Sequence, residues 1–421
     1  MGAMANHDLP LGHLGGCQLC GSGNLDLVLD LGHHPPCDSL LRPDQLVEAE
    51  KTYPLRFVRC LSCGLAQIDY VVAPEVLFHP DYPYRSGITV TLAKHLETTA
   101  LTVIEKFGLA RGSFVVDIGS NDGTALQAFK ARGMRVLGVE PTSVAKIAVE
   151  NGVPTVQQFF SEELGRQIRD QHGPAAAVIA TNMFAHVQKL GDLIRGVRHL
   201  LREDGVFVTE SHYLLDFLQT VQYDSIYHEH LKYYSVKALQ VLLSCYDFAL
   251  VDLERIPSYG GSIRAYAMKG TRRMVADRVA QLIAGEERAG LYGSEVYAVF
   301  RDRVLRSKLD LQALLLDIRR RGKQVVGVGC PGRSSTLLNY CNVDRDLMPY
   351  IAEQATSLKI GLFLPGKHIP VIDEKIMFEE GTDYAVMLSW HYADPIMTTL
   401  RRKGLKAGFV LPLPEVRVVE G

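Results

Sequence analysis

A chain of 421 residues is too long for one ordinary hydrophobic core and predicts two to three domains. Its 47% hydrophobic and 22% charged residues exclude a fibre or a disordered polyelectrolyte. A formal net charge of −2 argues against a nucleic-acid partner, because a basic surface that neutralises phosphates supplies most of such affinity. No apolar run reaches the roughly 20 residues that span a bilayer. Met1 to Gly16 carry no positive stretch leading into an apolar one, so the expectation is a cytoplasmic protein with no membrane partner. In that setting the eight cysteines are expected as metal ligands or core residues rather than disulfides.

The first chemistry in the chain is a pair of knuckles, Cys17-Gln-Leu-Cys20 and Cys60-Leu-Ser-Cys63. Each C-x-x-C places two thiolates at neighbouring corners of a tetrahedron, the geometry Zn²⁺ accepts. Gly21 and Gly64 follow at once, where a tight turn with positive φ fits. Four sulfurs leave no open position, so the zinc is expected to be structural and distant from the chemistry. His33, His34 and Cys37 lie between the pairs as competing ligands, but the four-cysteine set is already complete.

From Gly112 the pattern becomes β-α-β. Ser113-Phe-Val-Val-Asp117-Ile-Gly119-Ser120-Asn121-Asp-Gly123 is an apolar strand running into a glycine turn, followed by a helix over 124–132 and a strand ending on Glu140. An acid at the end of the second strand is placed to hold two ribose hydroxyls. Asp117 precedes the first glycine, where it would repel a pyrophosphate but suit the ammonium of S-adenosylmethionine (SAM). The loop also lacks the G-x-G-x-x-G of a dinucleotide site, so SAM is favoured over NAD. A third strand, 175–180, ends in Thr181-Asn182-Met183-Phe184-Ala185-His186, and this tip should line the cofactor. His186 either caps and packs or touches a ligand. A helix, a turn at Gly205 and a strand to Glu210 continue the sheet.

The densest titratable and aromatic run is Gln222-Tyr-Asp-Ser-Ile-Tyr227-His228-Glu229-His230-Leu-Lys232-Tyr233-Tyr234-Ser235. It is not the zincin pattern H-E-x-x-H, because Lys232 stands where the second histidine belongs. Helical spacing would put His228 and His230 on different faces. A polar surface helix is the bland alternative, which leaves the four tyrosines unexplained. The functional reading is acid–base chemistry: a histidine near neutral pKa, a carboxylate to orient it, a tyrosine for a developing oxyanion.

Towards the C-terminus a helix over 311–321 precedes a buried strand, 324–329, and Pro331-Gly332-Arg333-Ser334-Ser335-Thr336 opens another helix. Such a loop is either a structural turn or an anion site built from backbone N–H groups and Arg333.

Taken together, these segments resemble the bacterial SAM-dependent sugar C-methyltransferases, over nearly the whole chain. The resemblance rests on the four cysteines, on Tyr82-Pro-Tyr84-Arg-Ser86, on Asp117 to Gly123 and on Tyr227 to His230. It continues through Gly260-Gly-Ser-Ile-Arg264, Gly327 to Arg333 and Leu364-Pro-Gly-Lys367-His-Ile-Pro370. Tyr259 stands where relatives often show histidine. The family implies a zinc-binding module (1–78), a doubly wound α/β SAM-binding domain of class I type (79–270), and a helical connection with a Rossmann-like α/β substrate domain (271–421). It further implies that Tyr82, Ser86, Gly119, Ser120, Asn121, Gly123, Pro141, Asn182, Met183 and His186 join Asp117 and Glu140 around SAM. Tyr84, Tyr227, Gly332, Arg333, Ser334, Ser335 and Lys367 would hold the substrate, a TDP-linked deoxysugar.

The resemblance is nearest to members that methylate C3 of a 3-amino-4-keto sugar on the way to a nitrosugar of the tetronitrose type. On that reading His230 takes the C3 proton, Glu229 orients the imidazole, Tyr227 stabilises the enolate and His228 is the alternative base. S-adenosylhomocysteine is the second product and the enzyme acts as a monomer. Methylation at C5 or on nitrogen remains open, as do two other classes: an NAD-dependent sugar oxidoreductase or epimerase, and a zinc-ribbon adaptor for RNA or protein with a degenerate SAM fold.

Overall fold

The computed structural model describes residues 7–78, 86–88, 90–379 and 381–420. Tyr82 and Tyr84 lie outside the described residues. The strand Phe114–Ile118 is buried at every position and sits inside a seven-stranded sheet. An apolar run without alternation is what a strand covered on both faces requires. Arg135–Val139 and Thr155–Val156 lie on one side of it, Ala175–Thr181 and Leu201–His212 on the other, all parallel. Ser262–Lys269 and Phe248–Ile256 close the edge in antiparallel sense. The chain leaves the first strand to one side and returns to the other, which opens a crevice at the strands' carboxyl ends. Gly123, at φ +80°, starts the helix Thr124–Ala131. A Cβ there would stand 3.1 Å from both Ala148 and Val153, so this glycine serves packing.

A second doubly wound sheet follows the helix Glu295–Arg320, which begins well before the residue 311 that the sequence suggests. Its buried Tyr297, Phe300, Val304, Ser307, Leu311, Leu315 and Ile318 make one stripe at three- and four-residue spacing, apolar but for the serine. In the six-stranded sheet, Val325–Val328 lies between Ile351–Glu353 and Tyr384–Met387. The crevice rule therefore applies again at its carboxyl end, beside Pro331–Arg333.

The N-terminal sheet is antiparallel and takes Leu25–His34, Tyr53–Cys60 and Ala66–Ile68. Its fourth strand is Lys232–Tyr233, which pairs with Gln67 and Ala66. Residues far along the chain thus complete the sheet of the cysteine module. Phe57 of this sheet, Phe217, Tyr233 and Phe300 of the long helix pack as one buried aromatic group, with centroids 4.9–5.4 Å apart for the pairs Phe57–Phe217, Phe57–Tyr233, Phe217–Tyr233 and Phe217–Phe300. Among the described residues no helix is long and apolar enough to cross a membrane.

The two large sheets are bridged by a buried polar contact. Trp390 Nε1 donates to Asp224 Oδ2 at 2.8 Å, and Arg333 Nε lies 3.4 Å from the same oxygen. Trp390→Phe keeps most of the packing and removes that donor. It should destabilise the protein by about 1–3 kcal/mol, the worth of a buried hydrogen bond to a carboxylate that keeps Arg333 as its other partner. A lower urea midpoint by circular dichroism checks this; an unchanged midpoint means the contact carries no stability.

Candidate active site

Loops at the carboxyl ends of both large sheets line one cavity of about 590 Å³. Its floor is built from Asp117, Gly119, Ser120, Asn121, Glu140, Pro141, Asn182, Met183 and His186, with Ser86 at the side. Ser86 N donates to Asn121 Oδ1 at 2.8 Å, which docks that segment on the glycine turn. Glu140 is held fast: Oε2 accepts from Asn121 N at 3.0 Å, and Oε1 accepts from Thr142 N at 2.9 Å and Thr142 Oγ at 2.7 Å. Asp117 is buried, and its Oδ1 has no hydrogen-bond partner. Burial, then the charges of Glu140 and Glu210, raise its pKa to about 8. A buried carboxylate with an unused oxygen in a cavity wall fits a cationic group such as the SAM ammonium. At Gly119, φ +72°, a Cβ would stand 3.1 Å from Met183 Cγ, so only glycine lets the turn close under the ligand space.

Residues 222–235 do not form a surface helix. They run as a short 3-10 turn, Tyr223–Ser225, a loop, and the strand Lys232–Tyr233, buried throughout except for the half-buried Tyr227. The loop aims its groups in different directions. His230 lines the cavity, and its Nδ1 donates to the Ser225 carbonyl at 2.8 Å, which leaves Nε2 as the acceptor. The ring lies 3.9 Å from that of Tyr227, 4.6 Å from His186 and 4.9 Å from His212, centroid to centroid. Burial, then the neighbouring His186 and His212, hold its pKa well below the usual value. Burial likewise lowers His186 to about 4 and His212 to about 3, and pushes the Tyr227 phenol well up.

Two expectations are corrected here. The partner that orients His230 through Nδ1 is a backbone carbonyl and not Glu229, whose Oε1 instead accepts from the Cys37 thiol at 3.4 Å. His228 does not reach the cavity: its Nε2 bonds to Pro54 O at 3.2 Å and its ring meets Tyr53 edge-on.

The opposite wall comes from the second sheet. Gly332 and Arg333 line it with Lys359, His391 and Tyr392. The Arg333 guanidinium is buried against Asp224, donates to Gln222 Oε1 at 3.2 Å and lies 2.7 Å from His391 Nδ1. Ser334 and Ser335 sit behind it, bonded within their own helix to Pro331 O and Asn339. Lys367 is elsewhere, donating to Asn342 Oδ1 at 2.5 Å. The ammonium in the wall is that of Lys359, bound to Asp38 Oδ1 at 2.7 Å and Cys330 O at 2.8 Å. Sequence reasoning missed Lys359, Asp38, His212, His391 and Tyr392. The last two follow the strand Tyr384–Met387, so the strand-end rule applied to the second sheet would have found them.

The four cysteines of the knuckles converge. Cys17 and Cys63 sulfurs are 3.5 Å apart, as are those of Cys20 and Cys60, and all four lie within 4.8 Å. A tetrahedron of Zn–S bonds places its sulfurs roughly 3.8 Å apart, so the set fits Zn²⁺. Both knuckles turn alike, Gly21 N donating to Cys17 O and Gly64 N to Cys60 O, each at 2.9 Å. His33 is exposed, His34 bonds to Leu31 O, and Cys37 lies with Glu229, so none joins the four.

Family models cover most of the chain. One described as "Putative zinc binding domain" matches residues 17–78, a "Methyltransferase domain" matches 92–253, and a "C-methyltransferase C-terminal domain" matches 257–414. The C-methyltransferase NovU of Streptomyces niveus is 32% identical over 407 residues, covering 96% of each chain. The chain belongs to this C-methyltransferase family. It is a SAM-dependent C-methyltransferase whose N-terminal module binds zinc. Two solved structures share part of the chain. The 1,6-didemethyltoxoflavin-N1-methyltransferase of Burkholderia thailandensis covers 51% of this chain and 96% of its own, at 19% identity and TM-score 0.36. The magnesium protoporphyrin IX methyltransferase of Synechocystis covers 42% and 79%, at 12% identity and TM-score 0.33.

The raised Asp117 gives this C-methyltransferase a pH signature when free of ligand. Below pH 4 the group is protonated in both folded and unfolded chains. Between about 4 and 8 only the unfolded chain ionises, so stability falls as pH rises through that window and levels off above it. Asp117→Asn should abolish this decline and be more stable than the parent at pH 8–9, by on the order of a few kcal/mol. Urea melts at pH 5 and pH 8.5 test it. Equal differences between the two proteins at both pH values would show that Asp117 titrates normally.

Proposed function

We propose that the enzyme methylates C3 of a TDP-linked 3-amino-4-keto deoxysugar. The observation that carries this reading is His230. It is the histidine of the Tyr227–His230 run that faces the cavity, and its Nδ1–H is committed to a backbone carbonyl. Its Nε2 is thus the atom that can take a proton, and burial keeps the ring neutral, with that nitrogen's lone pair free. A carbon acceptor needs such a base, because a C–H bond yields its proton only when an adjacent carbonyl can hold the charge as an enolate. Bound SAM supplies the methyl group, made electrophilic by its sulfonium, that this enolate carbon attacks.

The rest of the cavity suits that chemistry. The Tyr227 phenol, its pKa pushed up by burial, remains a hydrogen-bond donor and its ring lies tilted against that of His230, where it can stabilise the enolate oxygen. Glu229 is a carboxylate in the wall beside the base, placed to accept from the amino group of the sugar. Asp117 and Glu140 hold the ammonium and the ribose hydroxyls of SAM on the floor. Arg333 and Lys359 put positive charge in the opposite wall, where a diphosphate would lie, with the first turn of the helix Gly332–Tyr340 beside it.

His230→Ala should lower kcat by about 10²–10⁴-fold, the contribution of a positioned base. Binding of SAM and of the sugar nucleotide should survive. His228→Ala should leave kcat near that of the parent, since its ring lies outside the cavity. Incubating a panel of TDP-4-keto sugars with SAM in deuterated water locates the methyl and the exchanged proton by mass spectrometry and NMR. Exchange at C3 with S-adenosylhomocysteine bound should fall in parallel with kcat in His230→Ala. A methyl found at C5 or on nitrogen moves the acceptor, and an active His230→Ala removes the base.

A further inference from the structure

The zinc knuckle and His230 are joined through one buried side chain. Gln18, between Cys17 and Cys20, is 2% exposed. Its Nε2 donates to Ile68 O at 2.8 Å and to Leu231 O at 3.1 Å, and its backbone N–H donates to Gln67 Oε1 at 2.7 Å. Leu231 is the residue after His230. Its carbonyl also accepts from Ile68 N at 3.2 Å, and its own N–H donates to Ala185 O at 3.1 Å, next to His186. Lys232, equally buried, donates to Val187 O at 2.9 Å. The segments that carry His186 and His230 are therefore pinned from the side of the cysteine module.

These contacts decide where His230 stands. The strand that follows it, Lys232–Tyr233, is two residues long, and so short a strand has little hold of its own. What clamps Leu231 sets the approach of the loop. Burying an amide costs free energy unless it is bonded, and Gln18 Oε1 has no partner. Packing alone would favour an apolar residue here; the two donated hydrogen bonds are what the glutamine supplies. Its direction is fixed by Cys17 and Cys20, which a metal holds at neighbouring corners of a tetrahedron.

We propose that Gln18 is a positioning residue, through which metal in the knuckle sets the placement of the His230 loop by way of the Leu231 carbonyl. Zinc then acts on turnover as well as on the stability of its own module. The proposal rests on His230 as base only for its kinetic arm; the hydrogen-exchange arm stands without it.

Gln18→Met keeps the volume and removes the donor. One zinc per chain and normal SAM affinity by calorimetry should remain. The kcat should fall about 10- to 100-fold, the loss that a misplaced catalytic group brings. Amide deuterium exchange should quicken across 226–231 and 184–187. Ser22→Ala removes the exposed hydrogen bond of 2.9 Å to Ser62 that ties the two knuckles together, leaves Gln18 in place, and should keep the parent kcat. A Gln18→Met protein with normal kcat and normal exchange overturns the proposal, as does an equal loss in Ser22→Ala. If Gln18→Met does not fold, the parent enzyme decides. Chelation should expose 226–231 while the central sheet keeps its protection, and zinc alone should restore it. Protection at 226–231 that survives metal removal, or that is lost only together with the central sheet, overturns the proposal.

Discussion

A stretch of chain with neither strand nor α-helix, residues 222–231, is almost wholly buried at the centre of the molecule, and its backbone polar groups need partners there. No single sheet can supply them. The Ser225 carbonyl accepts from His230 Nδ1 and from the Tyr233 hydroxyl. The Ile226 carbonyl accepts from Thr336 of the C-terminal sheet's first helix at 2.8 Å. Gln222 reaches Gly260 O and Arg333, Asp224 takes Trp390, and the Leu231 carbonyl takes Gln18 and Ile68. The loop is therefore satisfied only when all three parts of the chain are in place. The same requirement that makes it costly to bury makes it well defined once buried, which holds the cavity-facing His230 in one place.

Charge is distributed across the cavity to the same end. On the floor, Glu210 is fully neutralised, accepting from His95 Nε2 at 2.8 Å and Thr99 Oγ at 3.2 Å and paired with Arg264. Asp117 beside it has no such cation, and the burden appears as its raised pKa. In the far wall the buried cations Arg333 and Lys359 are each compensated by an aspartate, Asp224 and Asp38. Asp117 is thus a carboxylate of the cavity with no cation beside it, with the buried imidazoles of His186, His212 and His230 between the floor and that wall.

Where the sequence speaks plainly, it does so through local physics. The apolar runs at 113–118 and 324–328, the glycines after each C-x-x-C and the acids at strand ends all act over a few residues. The structure places them as those patterns suggest. The Tyr227–His230 run announces chemistry by composition alone. What could not be read is whatever depends on distant partners. A carbonyl that orients a histidine leaves no mark, since Ser225 would offer the same oxygen whatever its side chain. The resemblance points to Lys367, and only the fold shows that Lys359 meets Asp38, 321 residues away. The Gln18–Leu231 contact spans 213 residues, and in sequence Gln18 is simply one of the two residues between the cysteines of a knuckle.

The strand Lys232–Tyr233 also bears on how the chain comes to be folded. In the N-terminal sheet, Ala66–Ile68 lies between Tyr53–Cys60 and this late strand. On the ribosome the cysteine module is made first, and at that stage Ala66–Ile68 is an open sheet edge with unpaired N–H and C=O groups. Such an edge invites pairing with other chains. It closes only when the segment after His230 has been synthesised and brought back. Capture of metal by the knuckles can fix the module early, but the sheet it belongs to stays unfinished until the segment after His230 arrives to seal it.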